Sequence, residues 1–210
     1  MPLLNRDRKV LIVGLGLIGG SFAEGLTRIG YEVGAIDARQ EAIDFALSKG
    51  IISHGCAEVT PEYVRDFDII IFGLYPKVFV SWIERWQHCL KSGALITDVT
   101  GVKRTVVNSI APILRDDLDF VPAHPMAGRE VYGVENSSAA ILRGANFIIT
   151  PAERSSAAGI ETVRDLAVLL GFGHISVITP AEHDEMIGFL SQLTHCIAVT
   201  LMACKESKHL

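Results

Sequence analysis

The sequence predicts an α/β fold, a doubly wound and mostly parallel sheet with helices on both faces. Three observations predict it. From Lys9 to Val121, short β-branched apolar runs alternate with segments of helical periodicity, the order that produces a parallel sheet with right-handed crossovers. The runs are apolar at consecutive positions, as strands covered on both faces are. A glycine-rich turn joins the first run to the first helical segment.

Each element follows in order. Val10 to Val13 is a short apolar strand, and Phe22, Leu26 and Ile29 recur behind it at helical spacing. Glu32 to Ile36 gives a second strand ending in Asp37, and Gln40 to Lys49 a second helix, with Gly50 suited to cap its C-terminus. Asp68 to Gly73 is another buried strand, Val78 to Leu90 a helix carrying both tryptophans, and Gly93 to Thr97 the next strand. A helix runs from the Asp98–Lys103 loop through Ile110, and Asp119 to Val121 is a further short strand. Asn146 to Thr150 is a strand closed by Pro151, Ala157 to Leu170 a helix capped by Gly171, and Ile175 to Ile178 one more strand. Thr179-Pro180 then starts a long helix, with proline at a first-turn position helices tolerate. The expected division is a domain over residues 1–178 and, over 179–210, the first helix of an all-α second domain that is incomplete in this chain.

The turn carries the first functional signal. Gly14-Leu15-Gly16-Leu17-Ile18-Gly19 follows a strand, opens a helix and has an acid, Asp37, about 20 residues on, which together form the dinucleotide fingerprint of a Rossmann-type domain. Gly14 permits the tight turn, Gly16 lets the backbone approach a diphosphate, and Gly19 lets helix and strand pack closely. Unpaired N–H groups at the positive end of the helix dipole then hold the phosphates. Asp37 favours NAD, because it accepts bonds from ribose hydroxyls and repels a 2′-phosphate. Arg39, two residues later, leaves NADP open. A glycine-rich turn of another α/β protein and a secretory leader are the alternatives; Asp7 among the basic residues and the lack of a small-residue cleavage site before Glu24 argue against a leader.

Composition excludes other classes. The chain has 210 residues, 49% hydrophobic, with 19 basic and 24 acidic side chains and a net charge of -5. That length suits one large domain or one domain plus part of another. No Lys/Arg cluster supports binding to nucleic acid or to a membrane surface, and no apolar run reaches the ~20 residues of a span. Cys56, Cys89, Cys196 and Cys204 have neither metal nor disulfide spacing, as expected of buried thiols in a reducing, cytoplasmic compartment. No His/Cys/Asp/Glu set has ligand spacing, so no metal is expected.

In a doubly wound sheet, ligands bind beyond the carboxyl ends of the strands. Four loops leave from those ends: Gly14 to Gly19, Leu74 to Pro76, Asp98 to Lys103 and Ala123 to Gly128. The expected cofactor contacts are therefore Gly14, Gly16, Leu17, Ile18, Gly19, Asp37, Arg39, Leu74, Tyr75, Pro76 and Asp98. His124, after a short strand and before Pro125 and Gly128, sits at the rim of the crevice, where a neutral imidazole can take a hydroxyl proton during hydride removal. The alternative is a loop histidine that fixes its own turn. On the last helix Asp184, Ser191, His195 and Met202 fall in a narrow stripe, and Ser191 and His195 at i, i+4 can touch one ligand or form a polar seam between helices. His183-Asp184 reads as a solvated helix start.

Taken together, Gly14 to Ser21, Thr97-Asp98 with Lys103, His124-Pro125-Met126-Ala127-Gly128, and His183-Asp184 followed by Ser191 and His195 resemble the prephenate dehydrogenase family, with arogenate-specific enzymes as near relatives. The resemblance covers essentially the whole chain. It implies oxidative decarboxylation of prephenate to 4-hydroxyphenylpyruvate, in tyrosine biosynthesis, with hydride passing to the nicotinamide and His124 taking the 4-hydroxyl proton. By resemblance Glu130 helps gate the site, Ser191 and His195 contact substrate, and the helices after residue 180 form a homodimer. The sequence departs from the family at three places. Gly101 stands where a serine is common, with Thr100 beside it as a substitute hydroxyl. Gln192 and Thr194 replace the His and Pro of a Ser-His-Leu-Pro-His segment. Family members also continue past the position of Leu210, through helices bearing an arginine for the substrate carboxylate, so a chain ending there is expected to bind NAD but turn prephenate over poorly. A non-catalytic NAD-binding module and a 3-hydroxyacid dehydrogenase are the competing readings. The motifs are shared by enzymes acting on prephenate and on arogenate.

Overall fold

Pro122 divides the molecule into two sheets. In the computed structural model, which describes residues 6–204, strands β1 (Val10–Val13), β2 (Val33–Ile36), β3 (His54–Cys56), β4 (Ile69–Phe72), β5 (Leu95–Asp98) and β6 (Asp119–Phe120) form a six-stranded sheet in the order β3-β2-β1-β4-β5-β6. All its pairings are parallel. Proline has no N–H to extend such a ladder, and after Pro122 the chain leaves this sheet. It enters a second one, β7 (Ala123–Met126), β8 (Asn146–Ile149) and β9 (His174–Val177), in which β7 runs antiparallel to β8 and β8 parallel to β9. Pro125 lies within β7, an edge strand, where its missing donor is harmless.

Strand periodicity sorts the core onto the two faces of the large sheet. Val10, Ile12, Ile69 and Ile71 pack on one side, with Phe22 and Leu26 of α1 (Leu17–Arg28), Ile43 of α2 (Gln40–Ser48), Leu166 of α6 (Ala157–Leu169) and Phe147 of β8. Leu11, Val13, Ile70 and Phe72 face the other, against α3 (Pro61–Val64), α4 (Pro76–Trp86) and α5 (Arg104–Ile110), whose Phe79, Trp82, Val106 and Ile110 are buried. Alternate residues of one strand thus enter different clusters, which is why these runs are apolar at every position.

The structure differs from the sequence reading at three places. Strand β3 and helix α3 occupy the stretch between Gly50 and Asp68, where no elements are expected; Ser53-His54-Gly55-Cys56 has no apolar period to announce a strand, and it pairs only on one side, with β2. His124 lies inside β7, not in a loop. The last helix is also longer in apolar character than its charges suggest. It runs as α7 (Pro180–Ile187), a π-helical segment (Gly188–Leu193) and α8 (Thr194–Ala203). Over 24 residues, with mean hydropathy 1.6 in its most apolar stretch, it is long and apolar enough to cross a membrane by length and composition, contrary to the expectation of no such run. Phe189, Ile197, Leu201 and Met202 are exposed on it. Residues 205–210 of the expected second domain, and 1–5 of the first, lie outside the described residues.

Candidate active site

A cleft of about 540 Å³ opens at the carboxyl ends of β1, β4 and β5, within the size range of small-molecule sites. Gly16, Leu17, Ile18 and Gly19 form one wall, and Leu74, Tyr75 and Pro76 another. Arg39 stands at one end and Thr100 and Gly101 at the other. Nine residues expected at a cofactor or substrate line this single space: Gly16 to Gly19, Arg39, Leu74 to Pro76 and Thr100. Val99, Gly101, Tyr132, Gly133 and Glu135 line it as well. The last three come from the turn after β7, a polar stretch with no periodicity to mark it. Gly133 is held at φ +86°, beside the Glu135 carboxylate.

The first wall is shaped for a diphosphate. Gly14 has φ +99°, and a Cβ there would lie 2.6 Å from the Gly73 carbonyl oxygen, so only glycine makes the turn. A Cβ on Gly19 would lie 2.0 Å from the Gly14 oxygen, whereas one on Gly16 would meet nothing within 4 Å. The chain is therefore packed tight beneath the loop and open above it. Gly16 is the N-cap of α1, no side chain caps that terminus and no acid occupies its first turn. Its N–H groups remain directed at the cleft, as anion binding needs. Asp37 stands behind the loop: Oδ2 accepts the Leu15 N–H at 2.7 Å and Oδ1 the Arg39 N–H at 2.9 Å. Each oxygen keeps a second acceptor site for a ribose hydroxyl. Arg39 Nε lies 3.7 Å from Asp37 Oδ1.

The other end of the cleft rests on a buried ion pair. Asp98 and Lys103 are both fully buried, with Nζ 2.6 Å from Oδ2. Lys103 Nζ also donates to Thr100 Oγ1 at 3.1 Å and to the Ala123 carbonyl, which occupies all three ammonium donors. Burial pushes the Lys103 pKa below its ordinary value, opposed by Asp98. Asp98 further accepts the Thr100 N–H at 3.0 Å and the Ala123 N–H at 3.3 Å. Asp98 is thus sealed beneath the cleft and contacts it only through its neighbours. The Thr100 hydroxyl is likewise turned inward, onto Asp98. This cluster clamps β7 to the β5 loop at Ala123, one residue before His124.

His124 is mostly buried in β7, and its Nε2 points at Gly101, where a Cβ would stand 3.7 Å away. Behind it, Nδ1 lies 2.8 Å from Nε2 of His183, whose own Nδ1 lies 2.8 Å from Asp184 Oδ1. Asp184 Oδ1 and Oδ2 accept the N–H groups of Lys103 and Arg104 at 2.8 and 2.9 Å, capping α5. His183 is fully buried. The pair is therefore part of the site, not the solvated helix start its polarity suggests; the contact joins residues far apart in sequence, which spacing cannot show. Burial, and then the Lys103 charge, push the His124 pKa down to about 3. Burial also lowers that of His183, against the pull of Asp184. Both imidazoles are neutral near pH 7.

Glu130, Ser191 and His195 are exposed and outside this cleft. Ser191 and His195 line a separate open depression with Gln192 and Thr194. The π-helical turn between Asp184 and His195 inserts an extra residue, so the stripe expected from regular helical spacing is displaced. Among the described residues no group of three His, Cys, Asp or Glu side chains could hold a metal ion.

Comparison with known proteins points the same way. Residues 22–183 match the family described as prephenate dehydrogenase, nucleotide-binding domain. The prephenate dehydrogenase of Bacillus subtilis is 29% identical over 197 residues, 92% of this chain and 52% of that protein. The cyclohexadienyl dehydrogenase of Zymomonas mobilis is 25% identical over 197 residues, 93% of this chain and 66% of that protein. A crystal structure of A. aeolicus prephenate dehydrogenase, in complex with hydroxyphenyl propionate and NAD+, superposes with a TM-score of 0.86 at 31% identity, covering 96% of this chain and 70% of that one. This chain spans about half the length of the B. subtilis relative.

Proposed function

The chain belongs to the prephenate dehydrogenase family, and on that premise we propose that it binds NAD in the cleft and takes part in the oxidative decarboxylation of prephenate or arogenate. The observation that carries the reading is the position of His124: a neutral imidazole whose Nε2 faces Gly101 at the end of the dinucleotide cleft. The loop from Gly16 to Gly19 and the first turn of α1 hold the diphosphate. Asp37 takes the adenosine ribose hydroxyls, and its charge disfavours a 2′-phosphate, although Arg39 offers that phosphate a cation. When bound, the nicotinamide supplies the hydride acceptor. His124 Nε2 takes the proton of the substrate's ring hydroxyl as hydride leaves the carbon bearing it. The ring carboxylate departs as carbon dioxide, and its electron pair completes the aromatic ring.

The apolar helix from Pro180 to Ala203 fits this reading as the start of a substrate-binding and dimerisation region better than as a membrane span. Its first turns are fixed into the site, with His183 against His124 and Asp184 on the N-terminus of α5. Ser191 and His195 would then face substrate only when further structure covers the helix. One observation favours a second reading, a nucleotide-binding module without turnover: neither of those two side chains lines the cleft that ends at Gly101, which His124 Nε2 faces. Following NADH absorbance with prephenate and with arogenate, alongside an NAD titration, separates the two. Turnover with either substrate supports the dehydrogenase, binding without turnover supports the module, and failure to bind NAD removes both.

A further inference from the structure

We propose that His183 is a positioning residue that, backed by Asp184, fixes the tautomer of His124 so that Nε2 is presented to the cleft as a proton acceptor. The inference rests on His124 being the proton acceptor of the reaction proposed above.

The chain of hydrogen bonds starts at the Asp184 carboxylate. An ionised carboxylate can only accept hydrogen bonds, and Asp184 already receives the Lys103 and Arg104 N–H groups. Burial opposes its charge, but those two bonds and the one from His183 outweigh it and hold its pKa below the usual carboxylate range. At 2.8 Å from this acceptor, His183 Nδ1 must carry a proton. A neutral imidazole has one N–H, so His183 Nε2 is an acceptor. The ring nitrogen 2.8 Å from it, His124 Nδ1, must then be a donor. By the same count His124 Nε2 bears a free lone pair. It is this atom that faces Gly101.

Nothing else around His124 Nδ1 would impose that order. The Lys103 ammonium is spent on Asp98, Thr100 and the Ala123 carbonyl, and Asp98 is held by Lys103, Thr100 and Ala123. With the opposite tautomer, Nε2 would carry hydrogen and could donate to a substrate oxygen but take no proton from it. The pair therefore decides whether the imidazole is a base or merely a hydrogen-bond donor.

The test reads the tautomer directly, by long-range 15N–1H correlation of the imidazoles in the unliganded chain near pH 7.5, and so needs no turnover. In the unaltered protein His124 is expected to have a protonated Nδ1 and a bare Nε2. Substituting His183→Leu removes the acceptor, and the proton is expected to move to Nε2. Gln at the same position can donate to Asp184 and accept from His124, so His183→Gln is expected to keep the Nδ1–H form. Where the chain turns substrate over, kcat should fall about 100-fold or more in His183→Leu, with the KM for NAD within about threefold, and recover at least partly in His183→Gln. A proton found on His124 Nε2 in the unaltered protein overturns the proposal, as does an unmoved tautomer in His183→Leu. If His183→Leu fails to fold, the spectrum of the unaltered protein and of His183→Gln still decides. Absence of turnover in a protein with the expected tautomer counts against the proposed reaction and not against the positioning by His183.

Discussion

Adding one methyl group at either end of the glycine loop should separate folding from cofactor binding. In Gly19→Ala the new Cβ would lie 2.0 Å from the Gly14 carbonyl oxygen and 3.3 Å from Ile12 Cγ2. The nearest atom is backbone, so relief requires α1 to move off β1, and that seam includes Ile12 and Phe22, both almost fully buried. Overpacking of this kind costs about 1–3 kcal/mol, and a 2.0 Å approach to backbone belongs at the upper end of that range. For a domain of this size about 2–3 kcal/mol lowers Tm by roughly 5–10 °C. In Gly16→Ala the methyl group meets nothing within 4 Å. Gly16 is also already extended, at φ -79° and ψ -168°, a conformation alanine adopts freely. Its Tm should stay within about 2 °C of the parent.

Binding should show the opposite order of selectivity. The space above Gly16 is where the diphosphate must approach the α1 N–H groups, and a methyl group there holds it away from them. Loss of one charge-assisted hydrogen bond, about 1.5 kcal/mol or more, corresponds to at least a tenfold rise in the Kd for NAD. Differential scanning fluorimetry without cofactor, and titration calorimetry with NAD at a temperature where both variants are folded, make the comparison. If Gly16→Ala lost as much Tm as Gly19→Ala while binding NAD normally, the cleft would lie elsewhere and the division of labour along the loop would be wrong.

Two further outcomes follow from the buried charges. Lys103→Met leaves Asp98 without its ion-pair partner in the interior, so stability to urea should drop by about 3–5 kcal/mol, and adding Asp98→Asn should recover part of that loss; strictly additive losses would mean the two side chains do not interact. Acid should destabilise the protein before its carboxylates titrate. His124 has its pKa lowered to about 3, and in the unfolded chain the value is about 6.5, so across that window the unfolded state binds a proton the folded state refuses. Stability is unaffected by this group above pH 6.5 and falls as pH drops towards 3, by up to about 1.4 kcal/mol per pH unit. The lowered pKa of His183 acts in the same direction, whereas the benefit from Asp184, whose pKa is lowered, is lost only as pH falls below the ordinary aspartate range. Urea midpoints between pH 6.5 and 4.5 should therefore fall less steeply in His124→Asn than in the parent, and parallel curves would refute the assignment.

The large sheet was legible because local signals there coincide. Runs such as Val10–Val13 and Ile69–Phe72 are covered on both faces, so every residue reports burial, and Gly14 to Gly19 gives a turn, a helix start and a packing contact within six positions. Prephenate dehydrogenase membership was legible from His124 to Gly128 and its companion motifs. What escaped the sequence reading was set by contacts between distant segments. Strand β3 is held by one neighbour and carries no periodicity. Strand β7 exists because Pro122 ends one ladder and β8 supplies another. The His183–Asp184 pair looks like an ordinary polar helix start until α7 is laid against α5 and β7.

Those long-range contacts also explain why an apolar, largely exposed helix can begin at a well-defined place. Thr179 and Glu182 form a reciprocal cap at the start of α7, and this alone would fix where the helix begins but not where it points. Direction comes from Asp184, which satisfies the N–H groups of Lys103 and Arg104 that α5 leaves without a cap of its own, and from His183, inserted behind His124. Neutralising Asp184 would therefore weaken the start of α5 and the histidine chain together. Because the Lys103 N–H is held by Asp184 while Lys103 Nζ holds Asp98 and Ala123, one residue links the helix, the buried ion pair and the strand that carries His124. The orientation of the apolar helix and the geometry of the cleft are consequently set by the same few contacts.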